Sequence, residues 1–294
     1  MSIDTALAEE FVIANARLLE RHRHALLSGD GGPEPVEAAL AAYANADGGF
    51  GWTLHPDLRS RSSQPVAAIH AFEALEEIAP RASALAGPLC DWLDRASLAD
   101  GSLPFALPCN DWAGSAPMWA ATDHTQASPL ITAAVCGAAH RVAPTDPAVA
   151  GHPWLERATA YCEQKIAAMD EAPMAIELKF ALQLLDAVHD SRTGAEEQLD
   201  RLVAFLPASG TMAVAGGAEG ERMRPLDFSP DPGRPLRDAF SAEVIATDLD
   251  ELEAEMSDEG GWDVDFQVYS PAAVVEWRGY QTVRALKMLR ANGR

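Results

Sequence analysis

Asp123 and His124 are the residues of this sequence best placed to move a proton. They stand in Trp119-Ala120-Ala121-Thr122-Asp123-His124-Thr125-Gln126, near Trp112 and just ahead of an uncharged apolar stretch that starts at Ser128. A carboxyl and an imidazole side by side at a mouth lined by Trp112 and Trp119 make an acid or acid–base pair. The competing reading has Asp123 or Thr125 capping a helix and His124 facing solvent. Asp265, in Asp263-Val264-Asp265, is a second candidate acid, and its alternative is a solvated turn closing the Gly260-Gly261 loop. A third group is Glu276-Trp277-Arg278-Gly279-Tyr280. Glu276 and Arg278 read there as an ion pair, and Trp277 and Tyr280 as core anchors or, with Trp262, as the lining of a ligand cavity. Asp248-Leu249-Asp250-Glu251 reads as the solvated face of a helix.

Cys90, Cys109, Cys136 and Cys162 are too far apart for a CxxC clip and read as free buried thiols. His22, His24, His70, His140, His152 and His189 make no ligand pattern and read as structural or exposed. Neither a metal nor a cofactor is expected from these spacings.

The bulk of the chain narrows the partners. A formal charge of -22 over 294 residues repels phosphate backbones and anionic headgroups, so nucleic acid and membrane surfaces are poor partners. The first ten residues lack a basic region followed by an apolar run, and no stretch reaches the roughly 18 apolar residues of a spanning helix. A cytoplasmic protein is the expectation. Hydrophobic content of 48% supplies a core, and no Gly/Ser-rich linker interrupts the chain, which reads as one domain over 1–294. Oligomeric state, substrate and product leave no mark in the sequence.

The elements that would position these residues are helices. Leu7, Phe11, Ala14 and Leu18 follow a 4-3-4 spacing, the stripe of a helix with one buried face. Met174, Leu178, Ala181, Leu185 and Val188 form a stripe while Ile176, Phe180 and Leu184 cover much of the rest, so that helix reads as buried all round. Leu130 to Ala139 carries no charge and reads the same way. One-sided and all-round helices in alternation are what two helical layers require, since only the outer layer meets solvent. Ser128-Pro129 and Ser270-Pro271 offer a capping hydroxyl and a first-turn proline, and Pro65, Pro153 and Pro173 mark similar starts. Long loops are expected over 97–126 and 207–237, with no strand run anywhere.

One short pattern recurs three times. Asp47-Gly48-Gly49-Phe50-Gly51-Trp52, Asp100-Gly101-Ser102-Leu103-Pro104-Phe105 and Asp258-Glu259-Gly260-Gly261-Trp262 each place an acid, a glycine turn and an apolar anchor after a helix. Alanine-rich helices follow, beginning near Gln64-Pro65, Ser128-Pro129 and Gly279-Tyr280-Gln281-Thr282. These Asp-Gly-Gly-aromatic turns with Gln-Thr-x-x-Ala-Leu-type helices resemble the repeats of the terpenoid cyclase and protein prenyltransferase superfamily, most closely over 44–78 and 247–291. The resemblance implies an all-α fold, an α/α toroid of about 10–12 helices in two layers.

It also implies a hydrophobic small molecule, an isoprenoid, in a central cavity. Prenyltransferases of the superfamily hold zinc with an Asp-x-Cys pair that is missing here. Its class II cyclases protonate an alkene with an Asp of an Asp-x-Asp-Asp motif, which Asp263-Val264-Asp265-Phe266 only partly matches and precedes by some fifteen residues in register. The expectation is therefore a metal-independent cyclase or isomerase using Asp123 or, second, Asp265 as acid. The alternative is a lipid- or peptide-binding module on the same fold.

Overall fold

In a computed structural model, residues 3–294 are described and are dominantly helical, with 14 α-helices, one 3-10 turn and a single two-stranded ribbon. The chain divides into two compact units. One is Gly31–Asp170, and the other joins Glu171–Arg294 to the chain up to Asp30.

The unit Gly31–Asp170 holds α3 (Pro33–Ala41), α4 (Pro65–Glu77), α5 (Ala86–Ala96), α6 (Pro117–Ala121), α7 (Pro129–Val142), α8 (Pro147–Ala150) and α9 (Pro153–Ala167). α4 packs on α3, α5 and α7, and α7 packs on α9. No residue of α4 or α7 is exposed, whereas α5 and α9 turn charged faces outward. The uncharged run read from the sequence is thus an inner helix. Its start is set by Ser128, whose hydroxyl accepts the Ile131 amide at 3.3 Å, followed by Pro129. α4 and α9 also begin at the expected prolines.

The other unit holds α1 (Thr5–Asn15), α2 (Leu18–Ser28), α10 (Ala175–Val188), α11 (Ala195–Val203), α12 (Pro225–Phe228), α13 (Ala242–Ala254) and α14 (Pro271–Ala291), with β1 (Met212–Ala213) and β2 (Arg222–Met223) paired antiparallel. α1 and α2 pack on α14, and α10 on α11 and α12. α10 exposes no residue, in line with its all-round pattern, although Met174, counted in that stripe, sits just ahead of it and is exposed.

Three expectations are corrected. The first helix buries Ala8, Phe11 and Val12 and exposes Ala14, and Leu18, also exposed, belongs to α2, because α1 ends at Asn15 and the backbone turns extended at Ala16. The last helix starts at Pro271, so Gly279 lies inside it. A Cβ there would stand 2.8 Å from the Ala16 Cβ, and close helix packing is what glycine permits. The third is Asp248, expected to be solvated and 4% exposed.

The three recurrent turns share one hydrogen-bond pattern. Asn45 N–H donates to Gly49 O at 2.8 Å and Gly48 N–H to Asn45 O at 2.9 Å. Leu98 with Ser102 and Gly101, and Ser257 with Gly261 and Gly260, repeat both bonds within 0.1 Å of the same lengths, at 2.8 and 3.0 Å and at 2.9 and 2.9 Å. The glycine is forced twice over. Gly260 has φ +88°, and a Cβ there would lie 2.3 Å from the Leu7 carbonyl oxygen. The next residue but one, Phe50, Leu103 or Trp262, is an anchor no more than 2% exposed. In the third turn Glu259, not Asp258, stands where Asp47 and Asp100 stand in the first two.

Candidate functional site

The loops that follow the turns carry the aromatic residues. In the unit Gly31–Asp170 the loop before α7 is fixed at both ends: Pro104 bridges to Ala127, and Ser128 N–H donates to Leu103 O at 2.8 Å. Thr132 of α7 caps the loop from beneath, accepting the Leu103 amide at 2.9 Å. Gln64, at the start of α4, is 1% exposed and reads the loop backbone like a strand partner. Its amide donates to Leu107 O at 3.0 Å and accepts from Leu107 N at 2.9 Å. Gln64→Ala orphans both groups and is expected to cost about 1–3 kcal/mol for each that stays dry. Loss of protection at the Leu107 amide in hydrogen exchange checks it; unchanged protection and stability would show that the loop is held elsewhere.

On this frame Trp119 of α6 lies between two rings. Phe105 stacks on it at 4.7 Å between centroids, and His55 meets it edge-on at 5.2 Å. His55 also lies 5.2 Å from His70 of α4, whose Nδ1 is 3.1 Å from the Glu73 carboxylate. Trp112 stacks on His124 at 5.6 Å. His124 Nδ1 donates to Ala106 O at 3.0 Å, which leaves Nε2 as the basic nitrogen of the neutral ring. His55 Nδ1 accepts the Asp57 amide at 3.3 Å, so its neutral form carries the proton on Nε2. Asp57 is 5% exposed. Trp119 is 3% exposed, and its indole N–H has no hydrogen-bond partner, a cost of about 1–3 kcal/mol when nothing meets it. A narrow crevice beside His55, lined by Leu54, Leu58, Gln64 and Ala67, admits no water-sized sphere.

Asp123 lies at the edge of this group and is exposed. Its carboxylate accepts the Thr125 hydroxyl at 2.7 Å, the Thr125 amide at 2.9 Å and the Gln126 side chain at 3.0 Å. The Thr125 hydroxyl and amide hold its pKa below the usual carboxylate value. That is a turn cap, and the reverse of the dry, protonated carboxyl that protonating an alkene requires. Asp265 is exposed as well.

In the other unit Trp277 meets Phe266 edge-on at 5.2 Å and Tyr280 at 5.5 Å, while the Arg23 guanidinium lies 5.5 Å over the Tyr280 ring. Val264, Phe266 and Val268 cover this group from the loop. Arg278 reaches Asp263 at 2.6 Å and Glu259 at 3.1 Å. Residues two apart on a helix do not face each other, so Glu276 is poorly placed for the expected pair. Trp262, expected to line a cavity, is sealed in the core with its indole donating to Leu252 O at 2.8 Å.

Of the residues read from sequence, the structure therefore gathers Trp112, Trp119 and His124 around Phe105 and Ala106, and Trp277 with Tyr280. Sequence reasoning missed His55, Asp57, Gln64 and Glu73. One local feature marks their loop: Trp52 and Thr53 both adopt positive φ, 53° and 63°, strain that the fold holds in place. Among the described residues no cluster of His, Cys, Asp and Glu is placed to hold a metal, and no helix is long and apolar enough to cross a membrane. No family model and no curated protein matches the chain.

Proposed function

We propose that the chain is an α/α toroid protein that binds a hydrophobic small molecule of isoprenoid type, without turnover, at the aromatic group formed by His55, Phe105, Trp112 and Trp119. The toroid is supported by the shared turn geometry and by inner helices without exposed residues in each unit. The ligand reading rests on one observation, the buried indole N–H of Trp119 with no partner among apolar rings. Such a donor fits a ligand that is apolar along its length and ends in one oxygen acceptor, an isoprenoid alcohol for example. The crevice beside His55 admits no water-sized sphere, so ligand entry requires this group to open.

Titration with farnesol should give saturable quenching of tryptophan fluorescence and slow proteolytic cleavage of the 108–126 loop. Trp119→Phe keeps the ring and removes the donor, so affinity should fall by about 5- to 10-fold, the worth of one hydrogen bond. Absence of saturable binding, or full affinity in both Trp119→Phe and His55→Ala, would sink the assignment.

A second reading, acid-initiated isomerisation, is favoured by Asp57, a carboxylate buried in the loop that carries His55. It requires product formation from farnesol that Asp57→Asn abolishes and Asp123→Asn leaves intact. Saturable binding with no product leaves the binding reading standing.

A further inference from the structure

In the unit that joins the chain up to Asp30 to Glu171–Arg294, a cleft of about 370 Å³ opens where α1 begins and where α2 and α14 end. That volume falls within the roughly 300–1,000 Å³ of small-molecule sites. Its floor is apolar, with Leu289 fully buried and Leu286 8% exposed. Its rim is open, and Thr5, Glu9, Ser28 and Asp30 stand there in solvent. His24 of α2 sits in the wall, 9% exposed. Its Nε2 is 3.5 Å from the Ser28 hydroxyl, the ring's one hydrogen-bond neighbour among the described residues.

Charge decides what fits. Glu9, Asp30, Arg290 and Arg294 line the cleft, but both arginines are already engaged. Arg290 Nη1 donates to Leu27 O at the end of α2, and Arg294 lies 2.8 Å from Asp250 and 3.6 Å from Glu253. Glu9 and Asp30 form no ion pair with a cation among the described residues, and the charge of each reaches His24. The ends of α2 and α14 add two partial negative charges against the one positive end of α1. The surplus is negative and faces an apolar floor. Among the described residues Glu9, His24 and Asp30 do not converge as a metal-ligand set, so the cation that suits the cleft has a body of its own.

We propose that this cleft binds a small organic ammonium ion with an apolar body, its charge between Glu9 and Asp30, its N–H donating to the His24 ring and its hydrocarbon on Leu286 and Leu289. Burial holds the His24 pKa below the ordinary imidazole value, against the weaker pull of Glu9 and Asp30. At pH 7.5 the ring is therefore a neutral acceptor that does not repel the ligand.

The test is titration of the full chain with hexylamine at pH 7.5, read by calorimetry and by the histidine ring resonances, the His24 signal being the one missing from His24→Gln. Saturable binding that shifts His24 and leaves the other histidines in place is expected. Hexanol and hexanoate carry a similar body without the positive charge and should bind at least about 10-fold more weakly. Glu9→Gln and Asp30→Asn should each weaken hexylamine by about 5- to 10-fold. Both positions are exposed, so these variants decide even if His24→Gln fails to fold. No saturable binding, an unmoved His24, hexanol bound as tightly as hexylamine, or full affinity in the double variant of Glu9 and Asp30 overturns the proposal.

Discussion

Trp262→Ala is expected to lower the unfolding free energy by about 3–5 kcal/mol, the usual cost of deleting a large buried ring. Three features of the site argue for a value within that range. The ring is 2% exposed, so nearly all its surface is apolar burial that the variant loses. Its indole donates to Leu252 O at 2.8 Å, and its backbone N–H donates to the Thr282 hydroxyl at 3.1 Å. Truncation therefore opens a cavity and leaves the Leu252 carbonyl with one partner fewer. Gly261 packs beneath on Phe11, where no side chain fits, so the site cannot collapse easily. Trp262→Phe fills most of the volume and should cost less, about 1–3 kcal/mol, chiefly for the lost hydrogen bond. Urea denaturation with an unchanged slope measures both. An unshifted midpoint for Trp262→Ala would mean that the recurrent turn contributes no structural anchor.

Asp248→Ala is expected to cost about 1–3 kcal/mol, chiefly for the buried Leu226 amide left without its acceptor. Asp248 Oδ2 accepts the Leu226 amide at 2.7 Å, and Oδ1 lies 3.1 Å from Arg224 Nε, close enough for charge attraction though not aligned as a hydrogen bond. Without it Arg224, 14% exposed, keeps Glu255 at 2.6 Å and Glu251 at 3.5 Å, both half in solvent. The pH dependence has a definite sign. Burial raises the Asp248 pKa above the ordinary value, against the pull of the Leu226 amide and Arg224. The folded state therefore holds this proton more tightly than the unfolded chain. That contribution is complete below the unfolded value of about 3.9 and is lost as pH rises through the folded value. Asp248→Asn keeps an acceptor for Leu226, removes this slope, and should cost less than Asp248→Ala. Equal losses for the two variants would place the whole effect in packing.

Legibility divides along the range of the forces involved. The glycine turns were readable because an acid, a glycine and an apolar anchor solve a problem local to six residues. α7 was readable because an unbroken uncharged run has nowhere to sit but inside, and Ser128-Pro129 marks its start. In the first helix Phe11 of the expected stripe is buried, whereas Ala14 is exposed and Leu18 lies past the break after Asn15, on α2, which the period alone does not reveal. Gly279 looked like a helix start, and only the approach of Ala16 explains a glycine mid-helix. Asp248 looked solvated because its neighbours Asp250 and Glu251 are, and its partners Arg224 and Leu226 lie more than twenty residues earlier. Asp123 could be read as acid or cap, and its hydrogen bonds to Thr125 and Gln126 are those of a cap. His55 and Asp57 carry no spacing signal at all: a loop threaded over Gln64 brings them to Trp119. The thiols Cys136 and Cys162 read as buried and are at most 2% exposed.

The Gly260 turn rests on the Leu7 carbonyl, and α1 packs on α14, so α1 completes itself only with a helix made much later. During synthesis the Phe11 and Val12 face waits, without its partners, while some 250 residues are added. The unit Gly31–Asp170 is continuous in sequence and can form first. Vectorial folding therefore starts within Gly31–Asp170, with closure of α1 on α14 as the slow, long-range step.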